Sequence, residues 1–118
     1  MSSKRILIVD DAPFSRRLAE RIVDSLGYSA IVADNVYKAI GMIEQGQHFD
    51  LLFTDYMMPG TNGRELAREI RLHDPAILVL FTSGAPVSEA DRAEFDAGYL
   101  AKPFRKADLA AALSEIFR

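Results

Sequence analysis

Cysteine and tryptophan are absent from this 118-residue chain, prolines number only five, and no hydrophobic run exceeds the length of a strand. Without cysteine there is no disulfide, no thiolate zinc site and no thiol catalysis, and the chain suits a reducing cytosol. The opening Met1-Ser2-Ser3-Lys4-Arg5 leads into only four apolar residues before two aspartates, too few for a signal peptide and far too few to span a bilayer. An excess of positive charge is also missing: the formal charge is −3, so direct binding to nucleic acid is not expected. What is present is a 49% hydrophobic composition over a length that makes one compact domain, residues 1–118, with no room for an effector domain.

Strand-like and helix-like segments alternate without repeats or low-complexity linkers. Continuous apolar runs at Ile6–Val9, Phe49–Thr54 (broken only by Asp50) and Ile77–Phe81 suit strands covered on both faces. Ser29–Ala33 and Tyr99–Ala101 are shorter or less apolar, as edge strands are. Between them, Phe14, Leu18, Ile22 and Leu26 recur every fourth position; Val36, Ala39, Ile40 and Ile43, then Leu66, Ala67 and Ile70, and finally Leu109, Ala112, Leu113 and Ile116 form similar helical stripes. Pro13 fits a first helical turn, Gly27 and Gly46 fit helix ends, and Asn62 is a candidate N-cap. Residues 86–97 have the poorest periodicity and predict a short helix. The pattern is α/β, with a mostly parallel sheet, right-handed crossovers and helices on both faces, and such sheets bind ligands beyond the carboxyl ends of their strands.

At those ends stand Asp10 and Asp11, Asp55, Ser83 and Lys102. Each alone is an ordinary turn residue; together they place three carboxylates and one ammonium at a single edge. Three like charges repel, and one lysine leaves two of them uncompensated, so a divalent cation is called for. All-oxygen ligands with no His or Cys select Mg²⁺, or Mn²⁺ in its place, over zinc. An aspartate can act as a nucleophile toward phosphorus if positive charge covers the phosphoryl oxygens, which the metal and Lys102 would do. Ser83 can donate a hydrogen bond to a phosphoryl oxygen only when that group is present, which makes it a state-sensing contact.

The segments ILIVDD, FTDYMMPGTNG, VLFTSG and YLAKPF, in this order, resemble the receiver domain of two-component response regulators over essentially the whole chain. The resemblance implies a flavodoxin-like, doubly wound, five-stranded parallel sheet of strand order 2-1-3-4-5 with five helices. It implies that Asp55 is the phosphoacceptor, that Asp10 and Asp11 bind Mg²⁺ with Asp11 as direct ligand, and that Met57 lends its backbone carbonyl. Lys102 would contact the phosphate, Pro103 would follow a cis peptide bond, and Tyr99 would be the aromatic switch, its alternative being a half-buried edge-strand ring. The implied activity is acceptance of a phosphoryl group from a sensor histidine kinase or histidine phosphotransfer protein in the cytoplasm, followed by switching of a surface that binds a downstream protein. The domain would catalyse only its own phosphorylation and dephosphorylation.

Several positions depart from the family pattern. Thr82 and Ser83 both offer a hydroxyl, and Ser83, directly before Gly84, is favoured, with Thr82 pointing away. The stretch from Ser83 to Lys102 is short, which shortens the fourth helix or its loop. Thr61-Asn62 replace the usual Met-Asp before Gly63. His48 and His73 are expected at the solvated surface, as are Arg16, Arg17, Arg64, Arg68 and Arg71 on polar helix faces, where they serve solubility or partner contacts. Phe14 fits either a kinase-docking surface or the core. Two rival classes are a Mg²⁺-dependent phosphatase with an aspartyl nucleophile and an interaction module that is never phosphorylated. The adjacent Asp10-Asp11, in place of a D-x-D motif with a cap domain, disfavours the first, and the complete acid, hydroxyl and lysine set disfavours the second.

Overall fold

Three apolar runs become strands buried on both faces because helices cover each side of the sheet. The computed structural model describes residues 3–118; Met1 and Ser2, the start of the expected domain, lie outside them. The main sheet comprises β1 (Arg5–Val9), β2 (Ser29–Ala33), β3 (Leu51–Asp55), β6 (Leu78–Ser83) and β7 (Gly98–Ala101). A separate two-stranded ribbon pairs β4 (Met57–Met58) with β5 (Thr61–Asn62). All neighbours in the main sheet are parallel, in the order β2-β1-β3-β6-β7. Numbering the main strands one to five, this is the order 2-1-3-4-5, the flavodoxin-like topology expected. The two weakest strands of the sequence, β2 and β7, are its edges.

The helices are α1 (Pro13–Ser25), α2 (Val36–Glu44), α3 (Gly63–His73), α4 (Glu89–Phe95) and α5 (Lys106–Ile116). Side-chain alternation along each strand divides the core in two. On one face Ile6, Ile8, Leu51, Phe53 and Leu80 pack under α1 and α5 with Val23, Leu109 and Leu113. On the other, Leu7, Val9, Leu52, Val79 and Phe81 pack under α2, α3 and α4 with Ala39, Leu66, Ile70 and Phe95. Each fully buried Leu, Ile or Phe contributes about 1.5–3 kcal/mol of apolar transfer. Pro13 occupies the first turn of α1, and Asn35 and Asn62 cap α2 and α3 by accepting from Lys38 N and Glu65 N at 2.9 Å each. Asn62 thus caps as the replaced aspartate would. Gly27 and Gly46 follow α1 and α2 with φ of +91° and +90°.

One open alternative is decided and one short helix is bounded. Phe14 belongs to the four-residue stripe of α1 but is 80% exposed, so the core alternative is excluded; Ala19, Ile22 and Val23 do the burying. The helix within residues 86–97 is formed but covers only Glu89–Phe95, since Ser88 caps it through Asp91 N at 3.1 Å and Asp96 closes it in the left-handed conformation. The β4–β5 ribbon was not anticipated. Its signal was Pro59-Gly60, a turn pair in which Gly60 takes φ +76°. No helix among the described residues is long and apolar enough to cross a membrane.

Candidate functional site

The carboxyl ends of β1, β3, β6 and β7 converge on a small acidic recess. Asp10 and Asp55 are buried and Asp11 is exposed, yet all three offer carboxylate oxygens within 4.8 Å of one another. Lys102, one residue past β7, reaches back to bridge two of them, its Nζ donating to Asp10 Oδ2 at 3.0 Å and Asp55 Oδ2 at 3.2 Å. Asp10 Oδ1 accepts from Ala12 N at 2.9 Å, and Asp55 Oδ1 accepts a long bond from Met57 N at 3.4 Å. No hydrogen bond or ion pair engages the Asp11 side chain among the described residues. Asp11 and the weakly held Asp55 Oδ1 are the least engaged oxygens, and each Asp10 oxygen, accepting one hydrogen bond, keeps a further lone pair for a cation. This all-oxygen set suits a hard divalent ion such as Mg²⁺.

The charge balance is readable from the carboxylates themselves. Burial pushes the Asp55 carboxyl above its ordinary range; Lys102 opposes that shift and the nearby Asp10 charge reinforces it. Burial alone would lower Lys102, but hydrogen bonds and charge from Asp10 and Asp55 outweigh it and hold the ammonium above its usual value. A protonated lysine against crowded carboxylates is a site short of positive charge.

The two candidate hydroxyls are differently engaged. Thr82 Oγ1 donates to Leu100 O at 2.7 Å, inside the sheet. Ser83 Oγ accepts from Ala85 N at 3.1 Å, and its carbonyl accepts from Lys102 N at 2.9 Å. Tyr99 is half buried against the α2–α4 face, and its hydroxyl donates toward Ser83 O at 3.3 Å and Ala85 O at 3.2 Å. The Lys102–Pro103 peptide bond is cis. The Met57 side chain is 61% exposed and its backbone amide faces Asp55.

Four of the five arginines assigned to solubility or partner contacts serve the fold instead. Arg16 Nη1 donates to Asp10 O at 3.0 Å. Arg64, Arg68 and Arg71 share one face of α3 and reach α4 through Asp91 at 3.5 Å, Glu94 at 2.9 Å and the Phe95 carbonyl at 2.8 Å. The remaining member of that network, Tyr56, was overlooked: it directly follows Asp55, and its hydroxyl donates to Asp91 Oδ2. No local signal in the sequence joins two residues so far apart. His48 is exposed beside Asp50 and Asp74, and His73 is exposed at the end of α3; both lie away from the acidic recess.

A parallel sheet of this order with an acidic recess and a lysine at its carboxyl edge is the architecture of a receiver domain, and the chain belongs to the response regulator receiver domain family, whose model matches residues 6–114. It is 33% identical to the phosphate regulon transcriptional regulatory protein PhoB of Pseudomonas aeruginosa over all of this chain and 53% of that protein. It is 34% identical to the chemotaxis protein CheY-3 of Vibrio cholerae, over 96% of this chain and 91% of that one. With the virulence sensor protein BvgS of Bordetella bronchiseptica the identity is 38%, over 76% of this chain but 8% of the sensor. The chain thus spans nearly all of one relative, about half of another and a small part of a third.

Among solved structures, the Vibrio cholerae chemotaxis protein CheY4 superposes with a TM-score of 0.89 at 22% identity, covering 98% of this chain and 99% of that one, and shares the fold. The Thermotoga maritima response regulator protein TrrA, solved in complex with Mg²⁺-BeF, superposes with a TM-score of 0.83 at 30% identity, covering 96% of this chain and 98% of that one. The chain is therefore a phosphorelay receiver, a member of a family of signalling modules. Receiver domains bind Mg²⁺ at an aspartate cluster and pair with histidine kinases or phosphotransfer proteins.

Proposed function

We propose that Asp55 is the phosphoacceptor of this receiver, with Asp10 and Asp11 holding Mg²⁺ and Met57 adding its backbone carbonyl. The observation that carries this reading is the Lys102 ammonium bridging Asp10 and Asp55 at 3.0 and 3.2 Å beside the unengaged Asp11. An Asp55 carboxylate oxygen attacks the phosphorus of a phosphohistidine; the new O–P bond forms as the P–N bond breaks. The electron pair of that bond returns to the imidazole nitrogen, and the ring leaves neutral with its proton on the other nitrogen. Lys102 follows the charge onto the phosphoryl oxygens, and Ser83 turns its hydroxyl from the β6–α4 loop to donate to one of them. Bound Mg²⁺ supplies positive charge to the same oxygens. Tyr99 then answers the changed position of Ser83 and Ala85, and the surface around it engages a downstream protein.

The donor is a sensor kinase or histidine phosphotransfer protein, and the setting is the cytoplasm. Exposed Phe14 supports docking on that side: with Ser15, Leu18, Pro103 and Phe104 it lines an apolar recess of about 270 Å³ beside Lys102. The domain catalyses its own phosphorylation and hydrolysis and turns over no metabolite. Incubation with acetyl phosphate, followed by intact mass, tests the assignment. A single phosphoryl gain that needs Mg²⁺ and disappears in Asp55→Asn is expected; no adduct on the wild type, or an adduct that survives in the variant, overturns it.

A further inference from the structure

Tyr56 has both backbone groups fixed: its N–H donates to Thr82 O at 2.9 Å, and its carbonyl accepts from Gly63 N at 2.7 Å. The residue cannot shift without the ends of β3 and β6 shifting with it. Its ring meets Phe81 edge-on at 5.4 Å, and its hydroxyl crosses to Asp91 on α4. Asp91 is a carboxylate only 7% exposed, held on its other oxygen by Arg64 Nη1 at 3.5 Å. The next residue of α4, Arg92, lies over the Tyr99 ring at 5.8 Å. Adjacent positions of one short helix therefore touch the residue that follows Asp55 and the aromatic ring that touches the Ser83 carbonyl.

We propose that Tyr56 is a positioning residue that links the state of Asp55 to α4 through Asp91, a contact distinct from the one made by Tyr99. It rests on the reading of Asp55 as phosphoacceptor. Only residues 84–87 separate β6 from the Ser88 cap of α4, and that cap holds Asp91 N. A displacement of Ser83 toward a phosphoryl group is passed along this short loop to the helix start, while Tyr56 stays tied to the β3 end. The separation between the Tyr56 hydroxyl and Asp91 must then differ between the two states. A contact that differs in free energy between states biases their equilibrium.

Hydrogen exchange across residues 86–97, with and without Mg²⁺ and fluoroberyllate, tests the link in wild type, Tyr56→Phe and Asp91→Asn. In wild type the ligand is expected to change α4 exchange at least about threefold. In Tyr56→Phe, which removes one oxygen and keeps the ring on Phe81, less than half of that change is expected, together with a fluoroberyllate affinity altered by about fivefold, as reciprocity requires. Full wild-type response and affinity in Tyr56→Phe overturn the proposal, and that variant decides the matter if Asp91→Asn fails to fold. If the wild type neither binds fluoroberyllate nor gains a phosphoryl group, the phosphoacceptor reading itself falls and takes this one with it. Binding with an unaltered α4 response in the variant defeats the Tyr56 link alone.

Discussion

At Asp55 burial works against the charge and Lys102 works for it, and burial wins. A carboxyl whose folded value lies above its unfolded one lends full stability below the unfolded range, near pH 3.9, and loses it as pH rises through the raised folded value. Asp55→Asn in chelated buffer should therefore melt at a higher temperature than wild type near neutral pH, with the gain shrinking toward pH 4; equal melting at pH 7 would show that Lys102 fully offsets the burial. The aspartates were legible in the sequence because each ends an apolar run. Tyr56 and Asp91 were not, because a phenol after a strand and a carboxylate in a helix are ordinary until the fold joins them across 35 residues.

Among the elements, α3 is set by contacts at both ends. A Cβ on Gly63 would stand 2.6 Å from Asp55 O and 3.1 Å from the Thr54 methyl, atoms held by the strand. Gly63→Ala should cost about 1–3 kcal/mol in denaturant unfolding and disturb Asp55, since the relief must come from β3. At the far end Arg71 donates to Ile77 O at 3.0 Å and Phe95 O at 2.8 Å, tying α3 to the end of α4. Arg71→Ala should lower stability by about 1.5–3 kcal/mol and speed hydrogen exchange in residues 89–95, whereas Arg68→Ala, which breaks an exposed pair with Glu94, should cost under about 1 kcal/mol. The main-sheet strands and four of the five helices were readable from apolar runs and periodicity. The arginine stripe of α3 was misread because its spacing, four then three residues, is that of any solvated helix face, and only the position of α4 gives it partners.

For the molecule as a whole, the acidic recess sets three closely spaced carboxylates, two of them buried, at one edge of a largely apolar sheet. A cation that binds only the folded form stabilises it by mass action, about 2.7 kcal/mol at one hundred times its dissociation constant. Melting should rise with added Mg²⁺ and fall back with a chelator, and Asp11→Asn should blunt the response most, because Asp11 is the carboxylate without an internal partner. The topology was legible because a parallel sheet buries both faces of its central strands and so writes itself as unbroken apolar runs. The exposure of Phe14 was not, because periodicity states which residues share a helix face but not which of them a neighbour covers.

The Lys102 bridge spans 92 residues to Asp10 and 47 to Asp55, and β7 must be docked before it can close. A chain still emerging from synthesis, or one cut before its fifth main strand, holds Asp10 and Asp55 without the Lys102 ammonium between them. On the proposed reading of Asp55, competence to be signalled therefore depends on the last strand of the main sheet as much as on the aspartates themselves.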